Sequence, residues 1–144
     1  GNLTQIQNAG EARFSGFDVS LHYLILKNLD LTTSYSFIIQ KNKTNPELRF
    51  TDFPKHKTWS NLSYQPINWA KVSLTHEYYS RRYSRSYGIT ADEFHLFNLQ
   101  GSLSWKQFTL YTGIKNLFDT NYAYAEGYPE AGRNYFTKLV FELN

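Results

Sequence analysis

Apolar and polar residues alternate with a period of two along most of this chain. Phe17, Val19, Leu21 and Tyr23 alternate with Asp18, Ser20 and His22. Leu29, Leu31, Thr33, Tyr35, Phe37 and Ile39 alternate with Asp30, Thr32, Ser34, Ser36 and Gln40, and Ile38 breaks the polar series. Val72, Leu74, His76 and Tyr78 oppose Ser73, Thr75, Glu77 and Tyr79. Phe97, Leu99, Gly101, Leu103 and Trp105 oppose Asn98, Gln100, Ser102 and Ser104. Phe108, Leu110, Thr112 and Ile114 follow, and the chain closes on Tyr135, Thr137, Leu139, Phe141 and Leu143. The pattern is least clear over 57–65, where Leu62 and Tyr64 share a face. A period of two places alternate side chains on opposite faces of an extended chain, so seven strands are predicted. No segment carries a helical period.

The connections alternate as regularly as the side chains. Short links around Lys27–Asn28, 66–68 and Lys106–Gln107 alternate with longer polar loops near 41–52, 85–93 and 119–132. Membrane barrels have this asymmetry, with short turns on the periplasmic rim and long loops on the outer one. Seven strands with a short first turn put the C-terminal end on the short-turn side. The predicted strands run roughly 10 to 15 residues, against about 5–6 in soluble sheets and about 9–11 for a tilted membrane-spanning strand. The expected fold is therefore all-β: an antiparallel up-and-down meander of about seven long strands, forming a segment of a large transmembrane barrel. Residues 1–144 are expected to form one such unit.

Alternation alone does not say whether the apolar face meets lipid or a protein core. Composition bears on this, because 18% of the 144 residues are aromatic, with 12 Tyr and 11 Phe. Tyr23, Tyr35, Phe37, Tyr64, Trp69, Tyr78, Trp105 and Phe108 fall toward strand ends, where a membrane barrel carries its aromatic girdles. The mean hydropathy is negative, which barrel strands allow because they mix polar residues one-to-one with apolar ones. Cysteine is absent, which excludes disulfides, zinc-thiolate sites and iron–sulfur clusters. A formal charge of +3 is too small and too scattered for a nucleic-acid footprint. The chain opens without an initiator Met or a signal peptide, so it is expected to be an excised piece of something larger.

Two stretches near the C-terminal end carry a specific resemblance. Gly113-Ile114-Lys115-Asn116-Leu117-Phe118-Asp119-Thr120-Asn121-Tyr122 is followed by Gly127-Tyr128-Pro129-Glu130-Ala131-Gly132-Arg133-Asn134-Tyr135-Phe136. Upstream stands Asn8-Ala9-Gly10-Glu11-Ala12-Arg13-Phe14-Ser15-Gly16-Phe17, with Asp18 next. These resemble the corresponding elements of TonB-dependent outer-membrane receptors, and the resemblance spans essentially the whole chain. The family usually ends on an aromatic residue, whereas this chain ends Phe141-Glu142-Leu143-Asn144. Either the terminal signal tolerates Leu143 or the natural terminus lies slightly beyond.

The resemblance implies a parent barrel of about 22 strands around an N-terminal plug, of which these seven are the last third. It further implies energy-coupled uptake of a scarce, bulky nutrient (ferric siderophore, haem or cobalamin), with the TonB complex engaged through the missing plug. The chain itself would be barrel wall in the bacterial outer membrane, in contact with lipid and lipopolysaccharide. Asn116, Leu117, Phe118, Asp119, Tyr122, Gly127, Tyr128, Gly132 and Arg133 are read as architectural. Asn and Asp side chains bond to nearby backbone where a strand ends, Tyr122 suits a membrane boundary, Gly127, Pro129 and Gly132 shape the last loop, and Arg133 is placed to pair with an acidic lumen residue.

Candidate chemistry is otherwise sparse. The four histidines stand 19 or more residues apart, and none forms a metal-ligand pair at helix or hairpin spacing. No phosphate loop, nucleophile elbow or dinucleotide fingerprint occurs, so neither an enzymatic activity nor a cofactor is expected. The basic-aromatic run from Tyr78 to Tyr87 is the most functional-looking stretch. Within it Arg81, Arg82, Tyr83, Arg85 and Tyr87 are candidates for contact with an anionic or aromatic ligand, or for lipopolysaccharide phosphates and the outer girdle. Two rival readings stay open: a soluble β-barrel module that binds a lipophilic ligand with its apolar face turned inward, and a passive porin-like channel.

Overall fold

The computed structural model describes residues 10–85 and 88–143. Among the described residues eleven strands occur in chain order: β1 Ala12–Leu26, β2 Leu29–Asn42, β3 His56–Ile67, β4 Ala70–Tyr79, β5 Arg82–Tyr83, β6 Thr90–Ala91, β7 Phe94–Trp105, β8 Phe108–Lys115, β9 Ala123–Ala125, β10 Tyr128–Pro129 and β11 Asn134–Phe141. Seven form one sheet in the order β1-β2-β3-β4-β7-β8-β11. All their pairings are antiparallel. The sheet is thus an up-and-down meander, and β5–β6 and β9–β10 are small hairpins inside two of its long loops. Among the described residues no helix forms.

Two-residue turns join β1 to β2, β3 to β4 and β7 to β8, while residues 43–55, 80–93 and 116–133 make the long connections. All three long loops therefore share one rim. Lys106 takes a left-handed conformation (φ 53°) in its tight turn. Pro66 has no N–H to give the ladder, and the β3–β4 register skips it between Tyr64 and Ile67. β8 and β11 have only 8 residues each, fewer than the alternation predicts. The cause is local: Asn116 turns to φ 52°, which ends extended pairing directly after Lys115.

Register carries the alternation across the whole sheet. Phe17 faces Phe37, Leu31 faces Leu62, Leu62 faces Leu74, Leu74 faces Leu99, Leu99 faces Ile114 and Ile114 faces Tyr135. Directly opposite residues share a face, so one side of the sheet is apolar throughout. The other side carries hydrogen-bonded polar pairs, including Ser36 with Asp18, Thr75 with Asn61 (3.1 Å) and Ser104 with Thr109 (3.1 Å).

Along β1 both faces of the sheet are exposed, so the apolar face has no cover within this chain. Phe17, Val19, Leu21 and Tyr23 are more than half exposed. The only buried hydrophobic residues among those described are Phe94 and Leu96, which lie on the polar side beneath the long loops. A soluble sandwich buries its apolar face in its own core. Here that face stays open, as a wall solvated by lipid requires.

Candidate functional site

The long-loop rim carries the chain's most elaborate side-chain chemistry, on the polar side of the sheet. Tyr79 ends β4 and pairs with Phe94 at the start of β7, and their rings stack at 4.8 Å. The loop after β8 folds over them: Tyr122 lies 5.1 Å from Phe94, and Tyr124 lies 5.3 Å from Tyr79 and 5.5 Å from Tyr122. Tyr122 therefore turns to the polar side and does not stand at the lipid boundary. Burial raises the pKa of the Tyr122 phenol, and the Glu130 and Glu77 carboxylates add to the shift. Burial likewise raises Tyr124, reinforced by Tyr79 and Glu77. Both phenols stay neutral donors, and their faces are available for stacking.

Arg82 links this cluster to the neighbouring loop. It is only 5% exposed; its guanidinium lies 5.4 Å from the Phe94 ring and donates to the carbonyls of Asp92 and Ala123. Its donors are thus engaged with backbone from two loops, and it is not a free surface contact. Arg81 and Arg85 are exposed, and Arg81 pairs with Asp92 at 3.2 Å. Tyr83 is partly exposed beneath the Arg49 guanidinium, 5.8 Å from its ring. Tyr87 lies outside the described residues.

Between the 43–55 loop and the 80–91 segment opens a cavity of about 570 Å³, within the usual range for ligand sites. Lys41, Arg49, Lys55, Arg81 and Arg82 line it, together with Phe50, Phe53 and Tyr83, and no carboxylate does. Asp52 holds the two segments together, donating its N–H to the Tyr83 carbonyl at 2.8 Å from a left-handed conformation (φ 65°). Sequence reasoning found Arg81, Arg82 and Tyr83 but missed Lys41, Arg49 and Lys55. The mixed basic and aromatic residues of 41–55 were the available signal.

The residues read as architectural surround the last loop. Asn116 is buried; its side-chain amide donates to the Thr120 and Ala131 carbonyls (2.8 and 3.4 Å) and accepts the Thr120 N–H at 2.8 Å. Asp119 accepts the backbone N–H of Arg133 at 2.7 Å; no carboxylate among the described residues pairs with the Arg133 guanidinium. A Cβ added at Gly132 would stand 2.6 Å from that same Asp119 oxygen, so a larger residue there displaces the carboxylate from the Arg133 N–H. Leu117 donates its N–H to Phe97, whose ring meets Phe118 edge-on at 5.2 Å. Gly127 has φ 84°, and Tyr128 is largely exposed. Among the described residues no group of three or more His, Asp or Glu side chains is arranged to hold a metal.

A sequence profile described as TonB dependent receptor-like, beta-barrel matches residues 1–117. The chain belongs to this family. It is a wall segment of a Gram-negative outer-membrane receptor barrel. The long-loop rim is the outer rim and the polar face is the lumen side. The match stops at residue 117, so the Gly127–Arg133 element lies beyond it. Among curated proteins no sequence matches.

Solved structures of similar fold include a mutant of the ferric enterobactin receptor PfeA from Pseudomonas aeruginosa (20% identity, 93% of this chain and 23% of that chain, TM-score 0.80). The siderophore receptor PirA from Acinetobacter baumannii aligns at 19% identity over 89% of this chain and 22% of that chain, TM-score 0.77. The copper transporter OprC aligns at 21% identity over 92% and 24%, TM-score 0.77. Such identities speak to the fold alone. The chain spans less than a quarter of the length of these three proteins.

Proposed function

We propose that this chain is the C-terminal part of the barrel wall of a longer, plug-containing receptor that takes up a bulky anionic ferric chelate, energised through TonB. The observation that carries this reading is the outer-rim cavity of about 570 Å³, where Lys41, Arg49 and Lys55 stand with three aromatic rings beside an Arg81 paired with Asp92 and an Arg82 held by backbone carbonyls. Guanidinium and ammonium groups in a partly dehydrated cleft favour a multiply charged anion, and the rings suit its aromatic arms. The Tyr79–Phe94–Tyr122–Tyr124 cluster extends the same surface into the lumen. Haem, a flat dicarboxylate, fits this chemistry second; cobalamin, with one phosphodiester, draws less on the basic lining. The exposed Arg81 and Arg85 also suit lipopolysaccharide phosphates.

Equilibrium binding to the intact receptor in detergent tests the reading. A ferric tris-catecholate should bind more tightly than a neutral ferric hydroxamate of similar size. Arg49→Glu and Lys55→Glu should each weaken the catecholate by about tenfold, the scale of losing one close charge contact. Equal affinity for the two chelates, unchanged in both variants, would remove the basis for an anionic cargo.

A further inference from the structure

Two imidazoles meet on the outward wall of the sheet, away from the cavity. In the β4–β7 ladder His76 faces Phe97 and His95 faces Tyr78, so the two histidines are diagonal neighbours with backbone fixed by the sheet. Nε2 of His76 stands 3.0 Å from Nδ1 of His95, and the rings are 9° from parallel. Phe97 stacks on His76 at 4.5 Å and Tyr78 lies 4.7 Å from His95. Just before β7, Glu93 accepts the Tyr78 hydroxyl at 3.2 Å, which adds a negative charge beside the pair. None of these residues lines the cationic cavity.

A neutral imidazole pair at this distance shares one proton, and the same two nitrogens are Lewis bases. Imidazole nitrogens suit Cu²⁺, Ni²⁺ and Zn²⁺, and of these Cu²⁺ binds a given nitrogen site most tightly. We propose that His76 and His95 form an outward-facing two-histidine site for Cu²⁺. Binding turns both rings about their Cβ–Cγ bonds so that the lone pairs converge. The proton now between them passes to the far nitrogen of the ring that holds it, and water at the outer rim, where β7 begins beside the pair, completes the coordination. Glu93 supplies charge and not a ligand. The site does not depend on the cargo.

Cu²⁺ titration of the intact receptor in detergent, followed by electron paramagnetic resonance, tests this. The wild type is expected to bind one Cu²⁺ more than the His76→Ala/His95→Ala double variant, with superhyperfine splitting from two imidazole nitrogens. Each single variant should lose that two-nitrogen signal, and Cu²⁺ should bind at least about tenfold more tightly than Zn²⁺. Heat-modifiable migration on gels verifies that the variants are folded barrels. The same Cu²⁺ stoichiometry and spectrum in the folded double variant would overturn the proposal, leaving only a hydrogen-bonded imidazole pair. Zn²⁺ binding as tightly as Cu²⁺ would overturn the choice of ion.

Discussion

Replacing Arg82 with alanine removes a side chain that touches two outer loops and the aromatic cluster at once. In the wild type its guanidinium donates to Asp92 and Ala123 and lies against Phe94. Hydrogen bonds from a charged donor are worth about 1.5–3 kcal/mol each, and a desolvated cation–ring contact adds up to about 2 kcal/mol. Against this stands the cost of keeping a guanidinium 95% buried, several kcal/mol, which alanine recovers. The net loss is about 2–4 kcal/mol, confined to the packing of the 116–133 loop on the 80–93 loop. At about 1.4 kcal/mol per tenfold, local opening becomes about 30- to 700-fold more frequent. Hydrogen-exchange mass spectrometry of the intact receptor reads this directly in peptides covering 122–125, with the β2–β3 ladder as internal reference. Arg82→Lys keeps the charge but offers a point donor in place of a fork, and should fall between wild type and alanine. Unchanged exchange over 122–125 in Arg82→Ala would refute the loop-bridging role.

Two further substitutions test the architecture. Asn116→Gly removes three side-chain hydrogen bonds but tolerates φ 52°, whereas Asn116→Ala loses the bonds and adds left-handed strain. Urea unfolding in detergent should show glycine destabilising by about 1–3 kcal/mol and alanine by about 1 kcal/mol more; alanine matching glycine would mean that the backbone is unstrained. Leu74→Arg places a charge on the lipid face and should cost about 2–4 kcal/mol in vesicles, while Thr75→Arg, on the lumen face of the same strand, should cost little. Reversal of that order would invert the assignment of the faces.

The long strands were legible because every residue of a half-exposed sheet reports its face. Phe17 through Tyr23, or Phe97 through Trp105, repeat the same choice often enough to be read. Turn alternation followed from the same regularity. β5–β6 and β9–β10 escaped notice because strands of two or three residues carry no period. The burial of Arg82 was equally hidden: in the Arg81-Arg82-Tyr83 run nothing local separates the guanidinium that turns inward from the one that stays in water. The cavity joins Lys41, Arg49 and Lys55 to a loop some 30 to 40 residues away in sequence, a proximity set by the β3–β4 hairpin between them. The histidine pair shows the limit most clearly. His76 and His95 are 19 apart and match no ligand spacing, yet a hairpin with a 14-residue loop (80–93) returns β7 beside β4 and brings their nitrogens to 3.0 Å.

Uptake of radiolabelled iron, presented as a ferric tris-catecholate to cells carrying the intact receptor as their sole route, tests the central claim most directly. The account predicts uptake that disappears without TonB and falls about tenfold or more in Arg49→Glu/Lys55→Glu at subsaturating chelate, with the variant receptor at normal abundance in the outer membrane. Uptake that persists without TonB, or that is indifferent to the charge reversal, would contradict it.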